Sequence, residues 1–245
     1  MTVSDGSQIG IICRPGHHVF ETVGRHLRDR GHKVTYFEPG QELAQSAIAE
    51  LALLVCKKTR PESVRALRLA DRAGIATWNG RLSTTLLASR LVMREALSAV
   101  GFRVPPMTFE PPEGRYVAKP LYSWDGDAEI GGTGGFYEPL LDTDGRDRKC
   151  YIVDDGQQIH AATVICSSKL FGEKQVLGHD TTPERDVNRM KRLLSLMETQ
   201  ALGVDIIEAE GTRYAVDCNA APSFRAAGLE TALADSIHRA SPNAE

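Results

Sequence analysis

The chain has 245 residues, of which 42% are hydrophobic and 25% charged, and its net charge is -3. These values belong to a globular protein long enough for one large domain or two small lobes, and they exclude a polybasic nucleic-acid or membrane-surface binder. Five cysteines are scattered along the chain with no Cys-x-x-Cys pair, which argues against a disulfide framework and for a reducing compartment. The opening MTVSDGSQIGIIC has no basic stretch followed by a long apolar run, and no later run approaches membrane-spanning length, so a cytosolic location is expected.

The first third alternates between two periods. Ile9 to Cys13 is a short apolar run that suits a buried strand. Val19, Val23 and Leu27 then recur every four residues up to Gly31, an amphipathic helix. Lys33 to Phe37 is a second strand, Glu42 to Glu50 a second helix and Leu51 to Cys56 a third strand. Pro61 opens a helix at a position that tolerates its missing N–H, Gly74 closes it, and Ile75 to Trp78 is a fourth strand. Strand and helix in this alternation predict a parallel sheet covered on both faces, in a lobe ending near Gly80.

Ser83 to Val100 is predicted as one long helix, with Ser83, Thr84 and Thr85 as capping residues. The chain then becomes strand-like at Tyr116 to Lys119, Gly135 to Leu141, Cys150 to Val153 and Ile159 to Ile165, and Gly131 to Gly135 is a mobile loop. Pro183 to Gln200 is a helix that turns Met190, Leu193, Leu194 and Met197 inward. Val204 to Glu208 and Tyr214 to Cys218 form a strand pair split at Gly211, and the final SPNAE frays. No internal repeat is visible.

On a strand, residues two apart share a face, so Asp217 and Asn219 can aim at one point while a neighbouring strand brings Asp205 beside them. Two carboxylates and an amide oxygen make a hard, all-oxygen site suited to Mg²⁺. On residue types alone, a turn-capping Asp205 and an arginine-paired Asp217 account for the same acids. Two basic segments follow strands of the first lobe: Arg14-Pro15-Gly16-His17-His18 and Lys57-Lys58-Thr59-Arg60. Each reads either as a solvated turn or as a loop that holds an anion, since ligands bind at the carboxyl ends of parallel strands.

The run Leu202-Gly203-Val204-Asp205-Ile206-Ile207, followed by Tyr214-Ala215-Val216-Asp217-Cys218-Asn219-Ala220-Ala221-Pro222-Ser223, resembles the metal-binding hairpin of ATP-grasp enzymes. The likeness is nearest to the branch of ribosomal-protein glutamate ligases and inositol-phosphate kinases, and it runs from about Asn79 to Ser223. The resemblance implies an α/β chain with an N-terminal parallel lobe (1–82), a central lobe with a glycine-rich lid (83–141) and a C-terminal lobe (142–245), with ATP between the last two.

It also implies roles. Asp205, Asp217 and Asn219 would bind Mg²⁺, with Mn²⁺ as an alternative. Arg90, standing where the family carries a lysine, and Lys119 of Tyr116-Val117-Ala118-Lys119-Pro120 would meet the ATP phosphates. Tyr137, Glu138, Pro139 and Leu140 would form the hinge that holds adenine and ribose. Lys149 would face the γ-phosphate or acceptor, so that Lys149 and Arg90 serve catalysis. The implied activity is that of a carboxylate–amine ligase working through an acylphosphate; a hydroxyl kinase and a catalytically weakened nucleotide-binding protein are the alternatives. The partner would be a small-molecule or peptide acceptor bearing a carboxylate, with no nucleic acid and no membrane; a homo-oligomer is compatible with the sequence. Two departures stand out: the stretch from Lys119 to Glu138 is shorter than in the family, and Thr163-Val164-Ile165 replaces the arginine that often follows Ala161-Ala162, leaving Lys169 or Lys174 as candidate substitutes.

Overall fold

The computed structural model describes residues 6–242, so the first five residues of the opening segment and most of the tail expected to fray lie outside the described residues. The first lobe is the expected alternation: β1 (Gln8–Ile12), α1 (His18–Asp29), β2 (Lys33–Phe37), α2 (Gln45–Ala49), β3 (Leu53–Cys56), α3 (Pro61–Ala73) and β4 (Ala76–Trp78). Its strands are all parallel in the order β2-β1-β3-β4. Both faces are buried: Ile9, Ile11, Leu53 and Val55 pack toward α1, while Ile12, Leu54 and Cys56 pack toward α3. Only the second helix is much shorter than expected.

The long helix predicted from Ser83 is two helices, α4 (Arg81–Ala88) and α5 (Arg90–Ala99). Ser89 between them is extended and forms a β-bridge with Tyr122; Arg90 N donates to Leu121 O (2.8 Å) and Ser123 N to Ala88 O (2.9 Å). The break therefore comes from a tertiary strand contact, and it makes Arg90 the first residue of α5. Nor are Ser83, Thr84 and Thr85 caps. Gly80 holds that position, and their hydroxyls donate back to the carbonyls of Gly80, Asn79 and Arg81.

A small sheet of β5 (Tyr116–Lys119), β6 (Glu129–Ile130) and β7 (Phe136–Pro139) follows, in the order β6-β5-β7. Residues 131–135 carry no regular structure beyond a bridge from Gly131 to Val117. Gly134 runs so close to β5 that a Cβ there would lie 2.7 Å from Lys119 N, which restricts the position to glycine.

The larger sheet contains β8 (Arg146–Asp154), β9 (Ile159–Ser167), β10 (Val176–Asp180), β11 (Ala201–Ala209) and β12 (Thr212–Asn219), antiparallel in the order β10-β9-β8-β11-β12. β10 has no counterpart in the sequence reading. Cys150 and Ile152 of β8 pack toward α5 and α6 (Glu184–Met197), whereas Tyr151 and Val153 pack toward the first lobe. Burial on both faces explains the unbroken apolar run Cys150 to Val153. A final helix, α7 (Glu230–Ala240), unmarked in the sequence reading, lies against α1 and buries Leu233 and Ile237.

Asn79 joins the lobes. It is fully buried with φ of 51°, in the left-handed region that asparagine tolerates better than most residues. Its Nδ2 donates to Ala201 O (3.0 Å) and to Ala220 O, and its Oδ1 accepts from Thr199 Oγ1 (2.6 Å) and Ala201 N (3.2 Å). One side chain thus clamps the start of β11 and the end of β12 to the end of β4.

Candidate functional site

Strand register assembles the three expected metal ligands. Asp205 lies directly opposite Asp217 on β12 and directly opposite Lys149 on β8. Asn219 is opposite Gly203, which in turn is opposite Tyr151. Their neighbours Val204, Ile206, Cys218 and Ala220 pack into the core behind, so Lys149, Asp205, Asp217 and Asn219 share the other face. Directly opposed side chains start about 5 Å apart at Cβ, close enough for one cation to be shared. Gly203 allows Tyr151 and Pro222 to close over the strand: a Cβ there would meet each at 3.0 Å.

Each acid has a cation beside it. Lys149 Nζ is ion-paired to Asp205 Oδ2, and Arg90 Nη1 lies 3.7 Å from Asp217 Oδ1. Burial works against the Lys149 charge, but Asp205 outweighs it and raises the Lys149 pKa. Asn219 Nδ2 donates to Asp217 Oδ2 (3.1 Å), which leaves the Asn219 carbonyl oxygen as its remaining acceptor. The donor set is therefore oxygen only. Among the described residues there is no cluster of three or more His, Cys, Asp or Glu side chains able to hold a metal, so a cation here depends on the amide as well as the two carboxylates. Arg90 lines the cavity, and its Nε is a buried donor that makes no hydrogen bond among the described residues.

A break in register supplies another contact. Asp205 pairs with Asp217 but Ile206 pairs with Ala215, so Val216 is the extra residue of a bulge. Its carbonyl accepts from Lys119 Nζ at 2.9 Å, tying the small sheet to the large one. Lys119 Nζ also lies 2.6 Å from Glu138 Oε2, and the other oxygen of that carboxylate is taken by Arg94. Glu138 is 3% exposed, and its two oxygens position Lys119 and Arg94 rather than facing a ligand unpaired.

Arg90, Lys119, Glu138, Pro139 and Leu140 line one cavity of about 360 Å³ together with Lys149, Asp205, Asp217 and Asn219. Tyr137 is the exception. Strand alternation turns it away from Glu138, its backbone N and O are both bonded to Thr108, and its hydroxyl accepts from Gly134 N (3.3 Å). It holds the glycine loop against the sheet and does not line the cavity.

Two residues of the site, Arg94 and Asp147, escaped the sequence reading. Arg94 is one helical turn beyond Arg90 on the same face of α5, a spacing that marks it in retrospect. Asp147, two residues before Lys149 on the same strand face, also lines the cavity; burial raises its pKa against the pull of Lys149. Lys169 reaches across to Asp127 in the short segment after β5, and Lys174 lies on the cavity wall. The paired basic residues of the first lobe divide: Lys58 lines the cavity, while Lys57 is buried, donates to Ala221 O (3.2 Å), and has its pKa lowered by that burial to about 8.

No family model and no curated protein matches the sequence. Solved structures match along nearly the whole chain. The ATP-grasp ligase PsnB, complexed with minimal precursor, Mg and ADP, is 18% identical, with TM-score 0.66 over 98% of this chain and 99% of that one. This is the ATP-grasp fold. A RimK domain ATP-grasp protein from Sphaerobacter thermophilus is 13% identical, with TM-score 0.70 over 94% of this chain and 97% of that one. The Chryseobacterium gregarium RiPP-associated ATP-grasp ligase, in complex with ADP and a leader and core peptide, is 12% identical, with TM-score 0.68 over 96% and 98%. Within this ATP-grasp fold the cavity lies between the three-stranded and five-stranded sheets, with residues of both on its walls.

Proposed function

We propose that the protein is a magnesium-dependent ATP-grasp ligase that joins a carboxylate to an amine through an acylphosphate. The observation that carries this reading is the row Lys149–Asp205–Asp217 with Asn219 on one strand face, opposed across a single cavity by Arg90 and Lys119. The solved relatives that bind ADP, and in one case Mg, support it. With lobe limits at 82 and 141, the cavity would lie mainly between the second and third parts of the chain, with Lys58 of the first on its wall.

Asp205, Asp217 and the Asn219 oxygen would hold Mg²⁺, which when bound neutralises phosphate charge. Arg90 and Lys119 orient the phosphates, with Glu138 fixing Lys119 and the Val216 carbonyl setting its reach. Pro139 and Leu140 lie where adenine would be held. The acceptor carboxylate oxygen attacks the γ-phosphorus and the bond to ADP breaks; the amine nitrogen then attacks the acyl carbon and phosphate leaves, with the amine proton released. Lys149 stabilises charge at the transferring group, and catalysis consists of positioning and electrostatics. A hydroxyl kinase would share the first cavity but form no acylphosphate.

The test is ADP formation from ATP over a panel of acids and amines, with hydroxylamine as a trap. A ligase gives ADP only when an acid is present and yields a hydroxamate with hydroxylamine. A stable phosphate ester and no hydroxamate would reject the ligase in favour of the kinase.

A further inference from the structure

A second cavity, of about 570 Å³, lies where the loop after β1 meets the start of β10 and the segment after β12. Three cations line it, Arg14, Lys174 and Arg225, with His17 and His18, and no acidic side chain is among its lining residues. In a protein whose net charge is -3, this local excess is a property of the place rather than of the composition. None of the three cations makes an ion pair with a carboxylate among the described residues, whereas Lys149, Arg90, Lys119 and Lys169 of the first cavity all do.

The cavity is held in shape. His17 caps α1: its Nδ1 accepts from Phe20 N (3.4 Å), which places the ring proton on Nε2 and leaves that edge a neutral donor. Arg225 stands between two non-glycine residues of positive φ, Phe224 at 51° and Ala226 at 59°. Phe224 is buried against Tyr151, and His179 of β10 bonds to Ala226 O (2.6 Å), so the unusual backbone that carries Arg225 is fixed from both sides. Lys174 lines both cavities, so a ligand in the second lies next to the wall of the first, where Lys149 and Asp205 stand.

We infer that the second cavity anchors the acceptor, and that the acceptor is a small acid carrying a second anionic group, a carboxylate or a phosphate, held by Arg14 and Arg225 while its reacting carboxylate passes Lys174 toward Lys149. This assignment rests on the ligase reading for the identity of the reacting group, but not for the binding of the anion. The volume suits a small molecule, and the unpaired cations with a neutral imidazole donor suit oxyanions of two or more charges.

The test uses the full chain and simple probes. Inorganic phosphate, glutarate, acetate and a tetraglutamate peptide are titrated while the imidazole signals of His17 and His18 are followed by NMR. The assignment predicts saturable shifts with phosphate or glutarate and none with acetate at equal concentration. It also predicts that Arg14→Ala with Arg225→Ala weakens the response about tenfold or more, with Mg-ATP affinity held within about twofold. Response to phosphate alone or glutarate alone identifies the anchored group. Equal binding of acetate, an unchanged response in the double variant, or binding of the peptide alone would overturn the assignment. Because both arginines are exposed, the variant is expected to fold, and its thermal unfolding is checked alongside. Mg-ATP binding without a histidine response rejects this inference only; a histidine response without Mg-ATP binding rejects the ligase reading and leaves the anion site.

Discussion

The two cavities meet at Lys174 and are built of different material. In the first, the charged side chains stand mainly on strands, and most are already paired: Lys149 with Asp205, Lys119 and Arg94 with Glu138, Arg90 with Asp217. In the second they stand on loops, and none makes an ion pair with a carboxylate among the described residues. The difference teaches that the first cavity is part of the fold's own electrostatic framework, whereas the second can lose a charge without the fold responding.

The sharpest way to break this contrast is to remove one charge from each. Glu138→Ala strands two buried cations, and a loss of about 3–5 kcal/mol in urea unfolding is expected. Arg14→Ala should cost at most about 0.5 kcal/mol. Equal losses would erase the distinction. Asn79→Ala removes the clamp between the lobes and leaves buried backbone groups unpaired, for an expected loss of about 2 kcal/mol by the same measurement. Asn219→Ala should leave stability nearly unchanged but weaken magnesium-supported ATP affinity about tenfold, measured by calorimetry; unchanged magnesium dependence would remove Asn219 from the site.

The smallest effect concerns pH. Burial, with Lys57, His18 and Arg14 nearby, lowers the His17 pKa from 6.5 to about 4. The unfolded chain therefore takes up this proton first as pH falls, so the contribution of the neutral cap is complete above 6.5 and lost toward 4. His32 and His238, bonded to each other at 2.7 Å and both lowered by burial first, act in the same direction. His17→Asn keeps a capping acceptor without the titration, so its unfolding midpoint should fall less between pH 7 and pH 5 than that of the wild type.

Much of this fold was legible because its signals are local. The parallel lobe followed from strand and helix periods, and the Asp217-x-Asn219 spacing announced a shared strand face. What escaped depends on other parts of the chain. The break at Ser89 needs Tyr122, the bulge at Val216 shows only in the register with β11, and Tyr137 is turned away by its pairing with Thr108. Helix α7 was hidden because only Leu233 and Ile237 mark its inner face among small residues. Arg14 and the His17–His18 pair were visible as a basic loop. Their partners Lys174 and Arg225 lie far away in sequence, and only the tertiary fold brings them to one cavity.

The central claim is that the strand face of Asp205, Asp217 and Asn219 binds a metal-bridged nucleotide. Calorimetric titration of the wild-type protein with ATP, in magnesium and then in excess chelator, tests it most directly. Saturable binding is expected with magnesium, weakening at least about tenfold without it and likewise in Asp217→Asn. Absence of ATP binding in both conditions, or equal affinity with and without the metal, would contradict it.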